Sequence, residues 1–477
     1  MIIKLNQILF SLLPLFLVFS NFLSDFTISI MALTYLFYIL KGNEIKIFSS
    51  KIFLIFFIWW IYIILLSLFS TDPLLSLESS LFYIRFILFV LAVRFFLIKE
   101  KNFVKYFLIC LFLTFIILIL DSFIQISFGK NTFLYPITTS DMFGSRISSF
   151  FKDEYILGSY LVRLLPLLGI FYLIYVNNKF KYEFILTIIF LSLLDMTILI
   201  TGERAAILYL IIFSLSFFIF SKKIRNIIIF KNIISIILFV FLINEFDDVK
   251  TRVVDYTLYQ LNELQLYDQW QDLYRNEINK NESTNIEQLK IEPTANSSIK
   301  NENNFDNNTL KNLLSENIFG NNLNLLFFSV QHQSVFITSL KIFKDYPYFG
   351  IGPKVFREFC KIEKYSTTSK IDKTINGCQS HPHNTYIQLL TETGIFGFLI
   401  VFLFFIFVSY KIYILALIKN NKNFNNDYNM FLLLAIFITL WPIIPNGNFF
   451  NNWLNIIYYL PLGFYLIKDL IYNETNN

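Results

Sequence analysis

The stretch from Ile52 to Ser70, IFLIFFIWWIYIILLSLFS, decides the fold, because it carries no charged side chain. About 20 apolar residues in a row are what a helix needs to span a bilayer's hydrocarbon layer. Eleven further runs of similar character stand at about 5–21, 24–40, 79–98, 103–120, 155–176, 183–200, 205–221, 226–244, 394–416, 428–446 and 452–468. Twelve helices of ~20 residues would use ~240 positions, about half of this chain. The composition agrees. Of 477 residues, 56% are hydrophobic and 15% charged, against about 45–50% and about 25% in soluble domains. These figures exclude a disordered chain and a cytosolic enzyme with one anchor, and three cysteines exclude a disulfide scaffold. The 59 Phe and 27 Tyr accompany abundant Ile and Asn, as codon bias in an AT-rich genome would produce, so aromatic content carries little functional weight. The net charge of +5 gives no reason to expect a nucleic-acid partner.

Orientation follows from where Lys and Arg fall in short loops. One alternate set holds Lys41, Lys46 and Lys51, then Lys99, Lys101 and Lys105, then Lys179 and Lys181. Lys222, Lys223, Arg225 and Lys231 follow, then Lys411, Lys419 and Lys422, with Lys4 and Lys468 on the same side. The other set is nearly bare: 20–25, 70–76 and 442–452. The expected architecture is therefore an all-α polytopic membrane protein of about twelve transmembrane helices with both termini cytoplasmic. The first run, after Lys4, lacks a small-x-small cleavage site and reads as an uncleaved helix. Helices 1–9 occupy 1–244 with an outer loop at 121–154. A large outer loop at 245–393 follows, and helices 10–12 lie in 394–477. Within the large loop, 276–324 is rich in Asn, Glu, Lys and Ser, a composition that buries no core and reads as a flexible insert.

Arg85, Arg94, Arg163 and Arg204 lie in or beside apolar runs. A guanidinium in lipid costs at least ~2.5–3.5 kcal/mol, so such residues face polar cavities, pair with anions or snorkel, as Arg94 near a helix end can. Arg204 has two readings: a salt bridge to Glu203, or a phosphate clamp, since the guanidinium fork matches phosphate oxygens. The three histidines, His332, His381 and His383, all fall in the large outer loop. If Asn384 or Thr385 caps a helix, His383, Ile387 and Leu390 share a face. His381-Pro382-His383 lacks further ligands at zinc-like spacing, which leaves a hydrogen-bonding role or a general base. Cys360 and Cys378, in an oxidising compartment, read as a disulfide. Cys110 reads as a small buried apolar residue.

His383-Asn384, nine residues, then Gly394-Ile395-Phe396-Gly397 resembles the histidine motif of the O-antigen ligase and O-antigen polymerase superfamily. Asp345-Tyr346-Pro347-Tyr348-Phe349-Gly350-Ile351-Gly352-Pro353 resembles that family's glycine-rich segment, and Thr201-Gly202-Glu203-Arg204-Ala205 its arginine turn. Arg146-Ile147-Ser148-Ser149-Phe150 with 153–160 resembles a fourth segment. The resemblance covers about 121–468. It implies a membrane glycosyltransferase without cofactor or metal, working on the periplasmic face of the bacterial inner membrane in surface-polysaccharide synthesis, lipopolysaccharide included. The donor would be an undecaprenyl-diphosphate-linked glycan, and the acceptor a saccharide or lipid-linked saccharide. A chain-length regulator is a further implied partner. His383 would be the base and Arg204 a diphosphate ligand. The family's second arginine place is held by Gln331-His332-Gln333, so His332, Arg146 or Arg163 would supply that charge. Direct displacement would invert the anomeric centre. Polymerase is favoured slightly over ligase to lipid A core. A lipid-linked oligosaccharide flippase is the alternative from another class, but the polar residues cluster on one membrane face and no halves repeat.

Overall fold

The computed structural model describes residues 2–42, 51–100, 102–137, 146–177, 179, 181–221, 224–255, 330–367, 376–417 and 424–466. The Asn-rich stretch 276–324 and Lys46, Lys101, Lys222, Lys223, Lys419, Lys422 and Lys468 lie outside them. The described residues are helical, with one isolated bridge between Lys130 and Pro136. In chain order the helices are α1 (Ile2–Phe19), α2 (Asn21–Leu40), α3 (Lys51–Leu68), α4 (Pro73–Ser80), α5 (Ile84–Lys99), α6 (Asn102–Phe128), α7 (Leu157–Phe171) and α8 (Glu183–Ile200). Then come α9 (Arg204–Phe220), α10 (Arg225–Glu245), α11 (Asp247–Lys250), α12 (Val330–Asp345), α13 (Phe356–Phe359), α14 (Thr385–Leu417), α15 (Phe424–Thr439) and α16 (Asn452–Tyr465).

Apolar composition makes these helices, and polar residues in the short breaks start them. Ser20 accepts a hydrogen bond from Leu23 N at 3.2 Å, Asp72 from Leu75 N at 3.1 Å, and Asn451 from Leu454 N at 3.4 Å. These are N-caps, each satisfying an amide that the first turn leaves without a partner. Among the described residues, eight helices are long and apolar enough to cross a membrane. They are α1, α2, α4 with α5, α6, α7 with its π-helical extension to Val176, α8, α10 and α14. The other four expected spans fall on α3, whose side chains are described only over Phe53–Leu68, and on α9, α15 and α16, of 17, 16 and 14 residues. Length and composition thus support eight of the twelve.

The first and last blocks of the chain share one apolar core. Helix α1 packs on α2 and α6, α2 on α5, α5 on α16, α16 on α15, and α15 on α7. The C-terminal helices are thereby wedged among the N-terminal ones. Phe10 stacks on Phe107 at 4.8 Å and Phe86 on Tyr459 at 5.7 Å, so the abundant phenylalanines fill the core. A second, smaller core of Val335, Ile342, Ile351, Val355, Phe356 and Phe359 holds the segment around α12 and α13 together.

The structure corrects several expected boundaries. Helix α6 runs on to Phe128, into the segment expected as loop from 121. Helix α15 ends at Thr439, because Pro442 and Pro445 follow; proline removes a donor and disfavours helix in the residue before it. Lys231, counted above with the loop cations, lies inside α10 and is 1% exposed. Its ammonium meets the Asp195 carboxylate of α8 at 2.5 Å, with Ser235 Oγ also donating to Asp195 at 2.8 Å. A charge buried between helices needs such a partner.

Candidate active site

Helix α14 starts at Thr385, nine residues before the expected span. Asn384 is its cap, accepting from Tyr386 N at 3.0 Å and Ile387 N at 3.1 Å, while its own amide donates to Pro442 O at 2.8 Å. His383 therefore precedes the helix, in the left-handed region at φ 55°. It does not share a helical face with Ile387 and Leu390; that expectation fails because the cap falls between them. Asn446 N donates to the His383 carbonyl at 2.8 Å and fixes this conformation.

The glycines explain how the segment is carried. At Gly394, φ 65° and ψ −171°, α14 breaks. The break leaves the carbonyls of Thr391 and Glu392 to accept from Ile351 N at 3.1 Å and Gly352 N at 2.9 Å, while Ile395 N donates to Pro347 O at 2.9 Å. Two backbones are pressed together here. A Cβ on Gly350 would stand 2.5 Å from the Glu392 carbonyl carbon, and one on Gly394 2.1 Å from Tyr348 O. Gly397 leaves room for the Thr393 side chain, whose carbonyl accepts from Tyr62 Oη of α3 at 2.6 Å. Cys360 and Cys378 are bonded, with Cα atoms 4.9 Å apart, tying α13 to the histidine loop. Closing a loop of this length stabilises by about 3 kcal/mol on the chain-entropy account. Cys360→Ser/Cys378→Ser is accordingly expected to lower the thermal midpoint of the purified protein and to reduce activity by loosening the loop of His383. An unchanged midpoint in detergent would remove the bond's bracing role.

Two of the nearly bare loops, 20–25 and 442–452, with the segments 146–163, 202–208, 330–359 and 376–384, meet around a cavity of about 1310 Å³. His383, His332, Arg146, Arg163 and Arg204 all line it. Sequence reasoning missed further lining residues, Arg252, Lys354 and Arg357, and Asn446 lines the cavity with them. Six cationic side chains thus face three carboxylates, Asp25, Glu154 and Glu203. The His383 ring lies 4.2 Å from that of His381 and 5.7 Å from that of His332. Burial pushes all three imidazoles below their ordinary value. His332 falls to about 4, helped by His383 and Arg204, and His381 to about 3, helped by His383 and Arg357. A neutral imidazole can accept a proton.

Each arginine is held differently. Arg163, 4% exposed, donates to Asn446 Oδ1 at 2.7 Å and lies over the Tyr209 ring at 5.1 Å. It thereby positions Asn446, which also donates from Nδ2 to Tyr458 Oη at 2.8 Å. Arg146 lies over Tyr155 at 4.3 Å, and burial pushes its guanidinium down against the opposing pull of Glu203. Arg204 opens α9. The neighbouring Glu203 carboxylate accepts from Gly158 N at 2.7 Å, Ser159 N at 3.1 Å and Ser159 Oγ at 2.8 Å, and so caps α7. Arg252 lies against Gly202, where a Cβ would meet its Cγ at 2.6 Å. The glycine of the arginine turn thus admits a second arginine. Lys354 follows Gly352 at φ 63°, and burial lowers its ammonium, with Glu78 opposing and Arg357 adding to the effect.

No protein of curated function matches the chain. A family model described as O-antigen ligase matches residues 331–402. The match begins one residue before His332 and ends inside α14, so it takes in the glycine-rich segment, both bonded cysteines, His383, Gly394 and Gly397. Over those residues the chain is therefore similar to the O-antigen ligase family, in a protein with eight described helices long and apolar enough to cross a membrane.

Proposed function

We propose that the chain transfers a glycan from undecaprenyl diphosphate to a saccharide hydroxyl on the periplasmic face of the inner membrane, with inversion and without a metal. The observation that carries this reading is the convergence of His383 with Arg204, Arg146 and Arg252 on one cavity. The donor's diphosphate is a leaving group whose negative charge grows as its bond to the sugar breaks. Fixed guanidinium groups in a partly dry site stabilise that charge as it develops. The acceptor oxygen bonds to the anomeric carbon, the bond from that carbon to the diphosphate oxygen breaks, and the hydroxyl proton passes to His383. Attack opposite the leaving group inverts the centre. The family's second arginine place is empty of arginine, and Arg252 is the residue we assign to that charge, beside Arg146. Between extension of a second lipid-linked repeat and attachment to lipid A core, we favour extension.

The test is the glycan phenotype of a strain whose only copy carries His383→Ala. Loss of long chains with lipid-linked repeats accumulating outside supports transfer, and single repeats still attached identify a polymerase. Accumulation on the cytoplasmic side would point to transport instead. A product with the donor's own anomeric configuration would overturn the displacement. The acid limb offers a second check. Because burial holds His383 below its ordinary value of 6.5, the base form persists as pH falls through 6.5. Single-turnover rates are expected to stay level from neutrality to below pH 6.5 and to fall only at more acid pH. A limb centred at or above 6.5 would contradict this.

A further inference from the structure

The cations of the cavity act on different rings beside His383: Arg204 on His332 and Arg357 on His381. Arg252 lies against Gly202, on the turn of Arg204, and Lys354 is on the turn of Arg357. The two pairs are not equally answered. Behind Lys354, Arg85 is met by Asp25 at 3.5 Å. The side chains of Lys354 and Arg357 make no salt bridge or hydrogen bond among the described residues, though the Lys354 backbone N–H donates to the Glu392 carboxylate, and Arg357 Nε is buried without a partner. Glu78 and Glu392 act on Lys354 only at longer range. Two cations on the turn between Gly352 and Phe359, half-buried and unanswered, are costly to keep unless an anion completes them.

We propose that Lys354 and Arg357 form a second anion subsite, which holds a phosphate or diphosphate group of the acceptor. The cavity then carries two phosphate-bearing substrates at once, one at each pair of cations. This rests on the glycosyl-transfer reading for the word acceptor, whereas occupancy by two anions does not. The second anion is unchanged by the reaction. It holds its glycan so that the hydroxyl faces His383 and the donor's anomeric carbon, which converts an encounter of two lipids into a positioned attack.

The test is titration of the purified full-length protein, in phosphatidylcholine nanodiscs, with inorganic pyrophosphate. Two equivalents are expected for the wild type, one for Lys354→Gln/Arg357→Gln, and two for Arg357→Lys, which keeps the charge. One equivalent in the wild type, or two in the double glutamine variant, overturns the proposal. Farnesyl diphosphate displacing the second equivalent would identify a lipid-linked acceptor, and displacement by glucose 1-phosphate alone a phosphorylated glycan. Displacement by neither overturns the acceptor assignment. In the transfer assay, the double glutamine variant is expected to raise the acceptor KM about tenfold or more with the donor KM unchanged, since hydrogen bonds to charged groups are of that strength. No change in the acceptor KM overturns it. If His383→Ala retains full transfer while the stoichiometry stays at two, the reaction reading fails and the second subsite stands.

Discussion

His383→Ala is expected to slow glycan transfer by about 10²–10⁴-fold, the range that a positioned base contributes. The site explains why so much rests on one ring. On the proposed mechanism the arginines stabilise a departing diphosphate, but the acceptor hydroxyl still needs somewhere to put its proton. His381 and His332 flank His383, yet each is pushed further from a useful range, to about 3 and about 4. His383→Asn is the better-matched variant, since asparagine tolerates the left-handed backbone that position requires. Both variants should fold, because the backbone bond from Asn446 N to this residue's carbonyl survives either change. A purified His383→Asn protein with a rate within a few-fold of wild type would end the general-base assignment.

Gly350→Ala is expected to have the largest effect on the fold itself. The new methyl would lie 2.5 Å from the Glu392 carbonyl carbon, and the residue would be forced to φ +68°. Left-handed strain costs on the order of 1–3 kcal/mol and overpacking about as much again. Against a total stability of roughly 5–15 kcal/mol, that is a large share. The variant should show a thermal midpoint well below wild type by tryptophan fluorescence in detergent, with low yield from membranes. Gly447→Ala is the control: its nearest contact would be Leu454 at an ordinary 3.8 Å. Equal midpoints for the two variants would show that the backbone contact at Gly350 does not brace the site.

Much of this was legible in the sequence, for a physical reason. Long apolar runs report on solvent, so each of the twelve lands on a helix. The paired glycine motifs report on backbone approach, and His383 with four of its expected neighbours did reach one cavity. What stayed hidden depends on tertiary placement. Nothing local marks Arg252 or Lys354, since they come from separate segments. Lys231 looked like a loop cation because Asp195, its partner, is 36 residues away. The wrong helical face at His383 came from reading the cap as adjustable, when Asn384 satisfies two amides and leaves no place for a helical residue before it.

The break in α14 has a mechanical consequence. Above Gly394 the helix belongs to the segment that carries His383, bonded through Thr391 and Glu392 to the turn at Gly352. Below it, 395–417 is a separate rod on which Leu403, Ile406 and Tyr410 are exposed. A continuous 33-residue helix would act as a lever, turning every change of bilayer thickness into a displacement of His383. Glycine makes a joint instead, so the rod can re-tilt in thinner or thicker lipid while the end that carries His383 keeps its register.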